Sequence, residues 1–295
     1  MGHEPGGDLV TSIITAIVFL ILAPLLGGLI AGIDRKVTAR MQGRVGPPVL
    51  QPFYDVAKLF EKEDVTVTPS QNLYILAYLV FMAVSGAYFF AGGDFLLVIF
   101  AFTLAHIFIV LGAYAAYSPY SYIGAERELI TLMAYEPMVI LTAVGLYMVT
   151  GSFYISDIAT STVPAILYLP GVFLGFLTIL TIKLRKSPFD ISTSHHAHQE
   201  LVKGLTTEFA GPVLGKIEIA HWYETVVLLG MIYLFFGFNP VLAVVVIALA
   251  YLLEIFIDNT FSRMKWQWTM KSGWGVAAIL GFLNLVIVYY YYVGV

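Results

Sequence analysis

The chain has 295 residues, 59% hydrophobic and 12% charged, with a formal charge of -4 at pH 7, against about 25% charged in an ordinary soluble domain. No soluble core of this length needs so much apolar surface, so the composition reads as a membrane protein. The absence of Cys excludes a disulfide framework, a thiolate zinc site and any iron-sulfur cluster held by this chain itself, and the lack of a basic stripe or aromatic platform excludes nucleic acid as a partner.

Eight apolar runs follow in chain order, at residues 9–33, 73–91, 95–117, 129–150, 164–184, 219–236, 240–257 and 273–293. Most approach the ~20 residues that cross a bilayer. They predict an all-α polytopic membrane protein, one transmembrane domain over residues 1–295, with eight transmembrane helices and both termini on one side. All fifteen Lys and Arg fall in every second gap or, for Lys183, at its edge, from Arg35, Lys36, Arg40, Arg44, Lys58 and Lys62 in the first to Arg263, Lys265 and Lys271 in the seventh. By the positive-inside rule those gaps are cytoplasmic and both termini lie outside, in the cell (inner or plasma) membrane. Cations follow the first run and none precedes it, so that run is expected to stay as a helix and not to be removed as a signal.

The inner gaps hold the polar residues. The first, 34–72, and the fifth, 185–218, are long, whereas the outer gaps at 92–94 and 237–239 have three residues each. Both long gaps are expected to be cytoplasmic docking loops. Gly43 to Pro48 cannot be helical, but 49–62 alternates Val49, Phe53, Val56 and Phe60 with Asp55, Lys58, Glu61 and Lys62, an amphipathic helix for the membrane interface. Arg44, Asp55, Lys58 and, in the fifth gap, Asp190 are the candidate docking residues. His195 and His198 stand three apart, and His196 and Glu200 four apart, so a helix would bring each pair to one face. A His and carboxylate metal site is geometrically open to them; nothing closes it, and the plainer reading is a set of titratable groups useful for moving protons.

Ionisable residues inside apolar runs cost several kcal/mol and need a reason. Glu136 lies too deep in the fourth run to reach the interface, and Pro137 beside it predicts a kinked or hydrated helix. Glu224 is inside the sixth, counted from Glu218 near its inner end; Glu254 and Asp258 close the inner end of the seventh; Glu126 and Glu128 flank Arg127 at the mouth of the fourth. With Glu200, Glu208, His196 and His198 of the fifth gap they are the expected proton path from the cytoplasmic face to mid-membrane. His106, alone in the third run, reads as an imidazole bonded to a neighbouring helix.

The ordered segments 43–52 (GRVGPPVLQP), 54–59 (YDVAKL), 134–137 (AYEP), 187–190 (SPFD), 199–202 (QELV) and 207–211 (TEFAG) resemble the NuoH family, the eight-helix membrane subunit that joins the two arms of respiratory complex I and of energy-converting hydrogenases. The resemblance covers nearly the whole chain. It implies a non-catalytic subunit that binds no cofactor itself. Its inner loops dock hydrophilic hydrogenase-like large and small subunits carrying iron-sulfur clusters, and its buried acids begin the path to antiporter-like and small membrane subunits in the lipid bilayer. By motif, Glu136, Glu200, Glu208 and Arg44 match family positions. His196 and His198 replace acids usual before Gln-Glu-Leu, and the first loop holds one Gly-Pro-Pro in place of two Gly-Pro repeats. Both departures resemble the ferredoxin-linked branch, which uses no quinone and whose partner is a nickel-iron hydrogenase module or a sister complex that reduces sulfur compounds. Two other functions fit the same residues less well: a passive anchor, and a secondary transporter, for which paired broken repeats should be visible.

Overall fold

The computed structural model describes residues 5–189, 191–192 and 203–293. The chain forms α1 (Pro5–Met41), α2 (Gln51–Phe60), α3 (Pro69–Phe90), α4 (Phe95–Tyr114), α5 (Pro119–Thr150), the short α6 (Ile155–Thr160) and α7 (Ala165–Tyr168), then α8 (Pro170–Lys183), α9 (Gly211–Leu234), α10 (Pro240–Thr260), and α11 (Trp266–Val276), which runs through a π-helical turn at Ala277–Phe282 into α12 (Leu283–Val293). In α2, α3, α5, α8, α9 and α10 a proline (Pro52, Pro69, Pro119, Pro170, Pro212 and Pro240) lies in the first turn, where the missing N–H has no helical partner in any case. Asp94 and Asn239 cap α4 and α10 by accepting from the Leu97 and Leu242 amides at 3.0 and 3.2 Å.

Among the described residues, seven helical stretches are long and apolar enough to cross a membrane: α1 from Leu9, α3, α4, α5, α9, α10 and the α11–α12 unit. The eighth expected crossing is interrupted. Leu169 leaves helical geometry (φ -117°, ψ 41°) ahead of Pro170, whose ring disfavours the α region in the residue before it. What remains is α8, 14 residues and roughly 21 Å at ~1.5 Å per residue, against a hydrocarbon core of ~30 Å.

Helix limits also differ from the apolar runs, because helices continue past the point where apolar composition stops. α1 carries Arg35, Lys36 and Arg40; α5 begins at Pro119, so Glu126 and Glu128 lie within it and not at its mouth. α9 begins at Gly211, which places Glu224 near its middle. α5 runs through Pro137 without interruption.

α5 lies against α4, α8 and α11, and α9 lies against α1, α3 and α10. Two glycines permit close approach of the loops. A Cβ at Gly32 would collide with the Val49 carbonyl, which lets the turn before α2 cross α1; one at Gly124 would collide with the Leu205 amide, which seats the Gly204–Thr206 turn on α5. α2 buries Pro52 and Val56 while Tyr54 and Lys58 stay exposed, so the amphipathic helix exists, with the Phe53 ring 5.2 Å from that of Trp222 on α9.

Candidate functional site

A seam of polar side chains passes through the apolar centre of the bundle. Three of its carboxylates were read from the sequence: Glu136, Glu128 and Glu224. The groups that answer them come from other helices.

Glu136 Oε1 accepts from Thr103 Oγ1 at 2.6 Å, while its Oε2 is buried without a partner. Lys183, 6% exposed, ends α8 beside it. The Lys183 ammonium lies 4.0 Å from the centre of the Phe102 ring and 4.3 Å from that of Tyr135, attracted to the negative ring faces. Glu136, Lys183, Thr103 and Tyr135 line one small cavity. On the far side of Tyr135, whose ring is 6.3 Å from that of His106, His106 Nε2 meets Glu224 Oε1 at 2.9 Å. Both side chains are below 5% exposed. The lone histidine of α4 is therefore bonded to a neighbouring helix, α9, while its Nδ1–H donates to the Phe102 carbonyl of its own helix at 2.9 Å.

Towards the end of the seam Arg185 donates to Glu128 at 2.8 Å and to His221 Nε2. Burial disfavours its charge, but the carboxylates of Glu128 and Glu224 outweigh that and hold the guanidinium well above its ordinary pKa. Tyr78 of α3 stands between the two imidazoles, edge-on to each, with centroids 6.1 Å from His106 and 6.2 Å from His221. Its hydroxyl and that of Tyr135 are buried and unpaired. Five helices or helix ends therefore deliver ionisable or hydroxyl groups to one continuous strip.

The other predicted residues lie elsewhere. Glu254 is fully buried with neither oxygen in hydrogen-bonding geometry, near Thr181, Lys186 and Asp258. Asp258 belongs to a knot in which Lys186 Nζ lies 2.6 Å from Asp34 and 3.7 Å from Asp258, Tyr251 donates to Asp34 at 3.1 Å, and the Ser187 amide donates to Asp258 at 2.8 Å. That knot ties α1, the chain after α8, and α10 together. Asp55 pairs with Arg35 at 2.6 Å; partial burial works against its charge, yet the Arg35 and Gln51 hydrogen bonds and the Arg35 charge hold its carboxyl below the usual range. Glu218 is half-buried on α9 in the field of Arg35, Lys203 and Asp55. Glu126 is exposed and accepts from Tyr114 at 3.1 Å. Glu208 is half-buried, its carbonyl accepting from Gln71 at 3.4 Å. Arg44, which donates to the Gln42 side chain, and Lys58 are exposed. Asp190, His195, His196, His198 and Glu200 lie outside the described residues. Among the described residues, no group of three or more His, Asp and Glu is placed to hold a metal ion.

Sequence reasoning missed Lys183, Arg185 and His221 as members of the strip. The two cations counted toward sidedness, which hid the fact that Lys183 lies within the bounds of an apolar run. His221 stands three residues before Glu224, a spacing that puts both on one helical face.

The chain matches the NADH dehydrogenase family over residues 13–289. It is 30% identical over 207 residues to hydrogenase-4 component C of Escherichia coli, a match covering 64% of this chain and 63% of that protein. It is 30% identical over 290 residues to the NuoH-type subunit of the NADH-quinone oxidoreductase of Anoxybacillus flavithermus, with 86% of each covered, and 27% identical over 293 residues to the corresponding subunit from Syntrophotalea carbinolica, with 86% and 88% covered. Among solved structures, a chain of the membrane-bound sulfane sulfur reductase, an archaeal respiratory membrane complex, superposes with a TM-score of 0.81 at 25% identity, covering 94% of this chain and 99% of that one. The family match, the relatives and the shared helical fold agree: the chain belongs to the NADH dehydrogenase family of NuoH-like subunits of complex I-like membrane complexes.

Proposed function

We propose that this chain is the connecting and ion-coupling membrane subunit of a complex I-like respiratory complex of the membrane-bound hydrogenase or sulfane reductase type. It crosses the membrane eight times with both termini outside. Its inner segments at 34–72 and 185–218 dock hydrophilic subunits that carry the iron-sulfur clusters and, in the hydrogenase form, a nickel-iron site. The carboxylates open a proton path towards antiporter-like subunits in the bilayer.

The observation that carries this reading is the strip from Glu136 through Lys183, Tyr135, His106 and Glu224 to Arg185 and Glu128. Burying so many ionisable groups inside apolar helices costs several kcal/mol per ion, a cost their mutual attraction only partly offsets. A scaffold without ion traffic has no use for it. Purified native complex carrying Glu136→Gln, reconstituted in vesicles, tests the point. The expected result is intact assembly and electron transfer with redox-driven ion translocation abolished. Undiminished translocation favours the passive anchor instead, since an anchor tolerates neutral side chains at this position.

A further inference from the structure

The hydrogen bonds of the strip fix where protons sit. The Phe102 carbonyl only accepts, so His106 Nδ1 carries a hydrogen. His106 Nε2 and Glu224 Oε1, 2.9 Å apart and shielded from solvent, cannot both be bare acceptors at that separation. One proton lies between them, either on the imidazole facing a carboxylate or on the carboxyl facing a neutral imidazole. Both arrangements leave the pair neutral overall, and they interconvert by one transfer along one bond.

The neighbours differ in kind. At His221 the guanidinium of Arg185 can only donate, so Nε2 accepts and the imidazole is neutral. Glu128 is answered by the guanidinium of Arg185, and Glu136 has the ammonium of Lys183 beside it. Among the described carboxylates of the strip, Glu224 is the one hydrogen-bonded to an imidazole, a group that can both accept and donate a proton. The other groups facing the pair are Tyr78 from α3, Tyr135 from α5, Lys183 at the end of α8 and Arg185 just beyond it. The two tyrosines present unpaired hydroxyls, and the two cations stabilise negative charge on Glu224 whenever the proton departs.

We propose that the His106–Glu224 pair is the proton-storing element of the strip, with His106 a proton-carrying residue; this rests on the coupling function proposed above and names the group that loads and unloads in it. The test uses the complete complex with [15N]histidine, followed by infrared difference spectroscopy on reduction in H2O and D2O, together with ion translocation in vesicles. The wild type gives an imidazole band that shifts with the label and with deuterium, and His106→Gln removes it. The glutamine keeps an amide donor toward Glu224, so a purely structural histidine would be replaced without loss of translocation, whereas a carrier loses it by roughly a hundredfold, the scale of a placed proton-transfer group. Combining His106→Gln with Glu224→Gln adds little further loss, because the two act as one unit. If His106→Gln fails to assemble, Glu224→Gln carries the same two measurements: loss of the band and of translocation supports the pair, retention of both rejects it. Absence of a labelled band in the wild type, or full translocation in His106→Gln while Glu136→Gln abolishes it, overturns this inference alone. Full translocation in both variants overturns the coupling function as well.

Discussion

Arg185 has two dependents in the strip: one guanidinium serves Glu128 and His221. Arg185→Met keeps an unbranched apolar stem and removes the charge, leaving Glu128 buried beside a neutral neighbour. Breaking a buried pair from one side costs about 3–5 kcal/mol, so the thermal midpoint of the assembled complex should fall clearly, and Glu128→Gln on the same background should recover much of the loss. At Arg35–Asp55 the balance differs, because the side chains are 44% and 40% exposed and solvent limits such a pair to under about 1 kcal/mol. The folded-state pKa of Asp55 is depressed, so its contribution is present above the ordinary aspartate range and is lost as pH falls through the depressed value. Thermal melts of wild type and Asp55→Asn should therefore differ slightly at neutral pH and converge in acid. The buried acids of the strip were legible in the sequence, since a Glu inside an apolar run is conspicuous. The identity of their partners was not, because Lys183 and Arg185 obey the sidedness pattern and a lone His106 names no particular group on the neighbouring helix it was expected to meet.

At the scale of elements, the apolar runs announced the order of the long helices but not their limits, since most helices extend beyond the apolar stretch, and the amphipathic α2 followed from its alternation. The break in the fifth run was not legible because apolar composition is blind to backbone angles: residues 164–182 are largely apolar, yet Leu169 and Pro170 divide them into α7 and α8. The seating of the Gly204–Thr206 turn on Gly124 was likewise invisible, since the two are far apart in sequence and meet through a missing side chain. Gly124→Val would push that turn off α5. Trypsin should then cleave faster after Lys203, which is exposed and opens the turn with φ 57°; an unchanged cleavage rate would mean the turn is held by other contacts.

Over the whole molecule, sidedness rests on the distribution of Lys and Arg. A chain without Cys permits a clean check. Single substitutions Arg44→Cys and Ser152→Cys, probed with a membrane-impermeant thiol reagent, should label from the cytoplasmic and the external side respectively; the reverse pattern would place the docking segments on the wrong face for an electron-transfer arm. The same bundle shows how the division of labour arises. Apolar helix faces left open on α1, α10 and α11–α12 suit lipid or neighbouring membrane subunits, and the charges are gathered inward.

Those inward charges are the groups on which ion movement is proposed to depend. The ratio of ions moved to electrons transferred should be measured for native complex bearing Glu128→Gln, Glu136→Gln or Glu224→Gln, beside Glu126→Gln, whose carboxylate is exposed. The ratio should collapse in the first three, with electron transfer retained, and stay unchanged in the fourth. A ratio unaffected by all three buried substitutions, or lowered equally by the exposed one, would contradict that dependence.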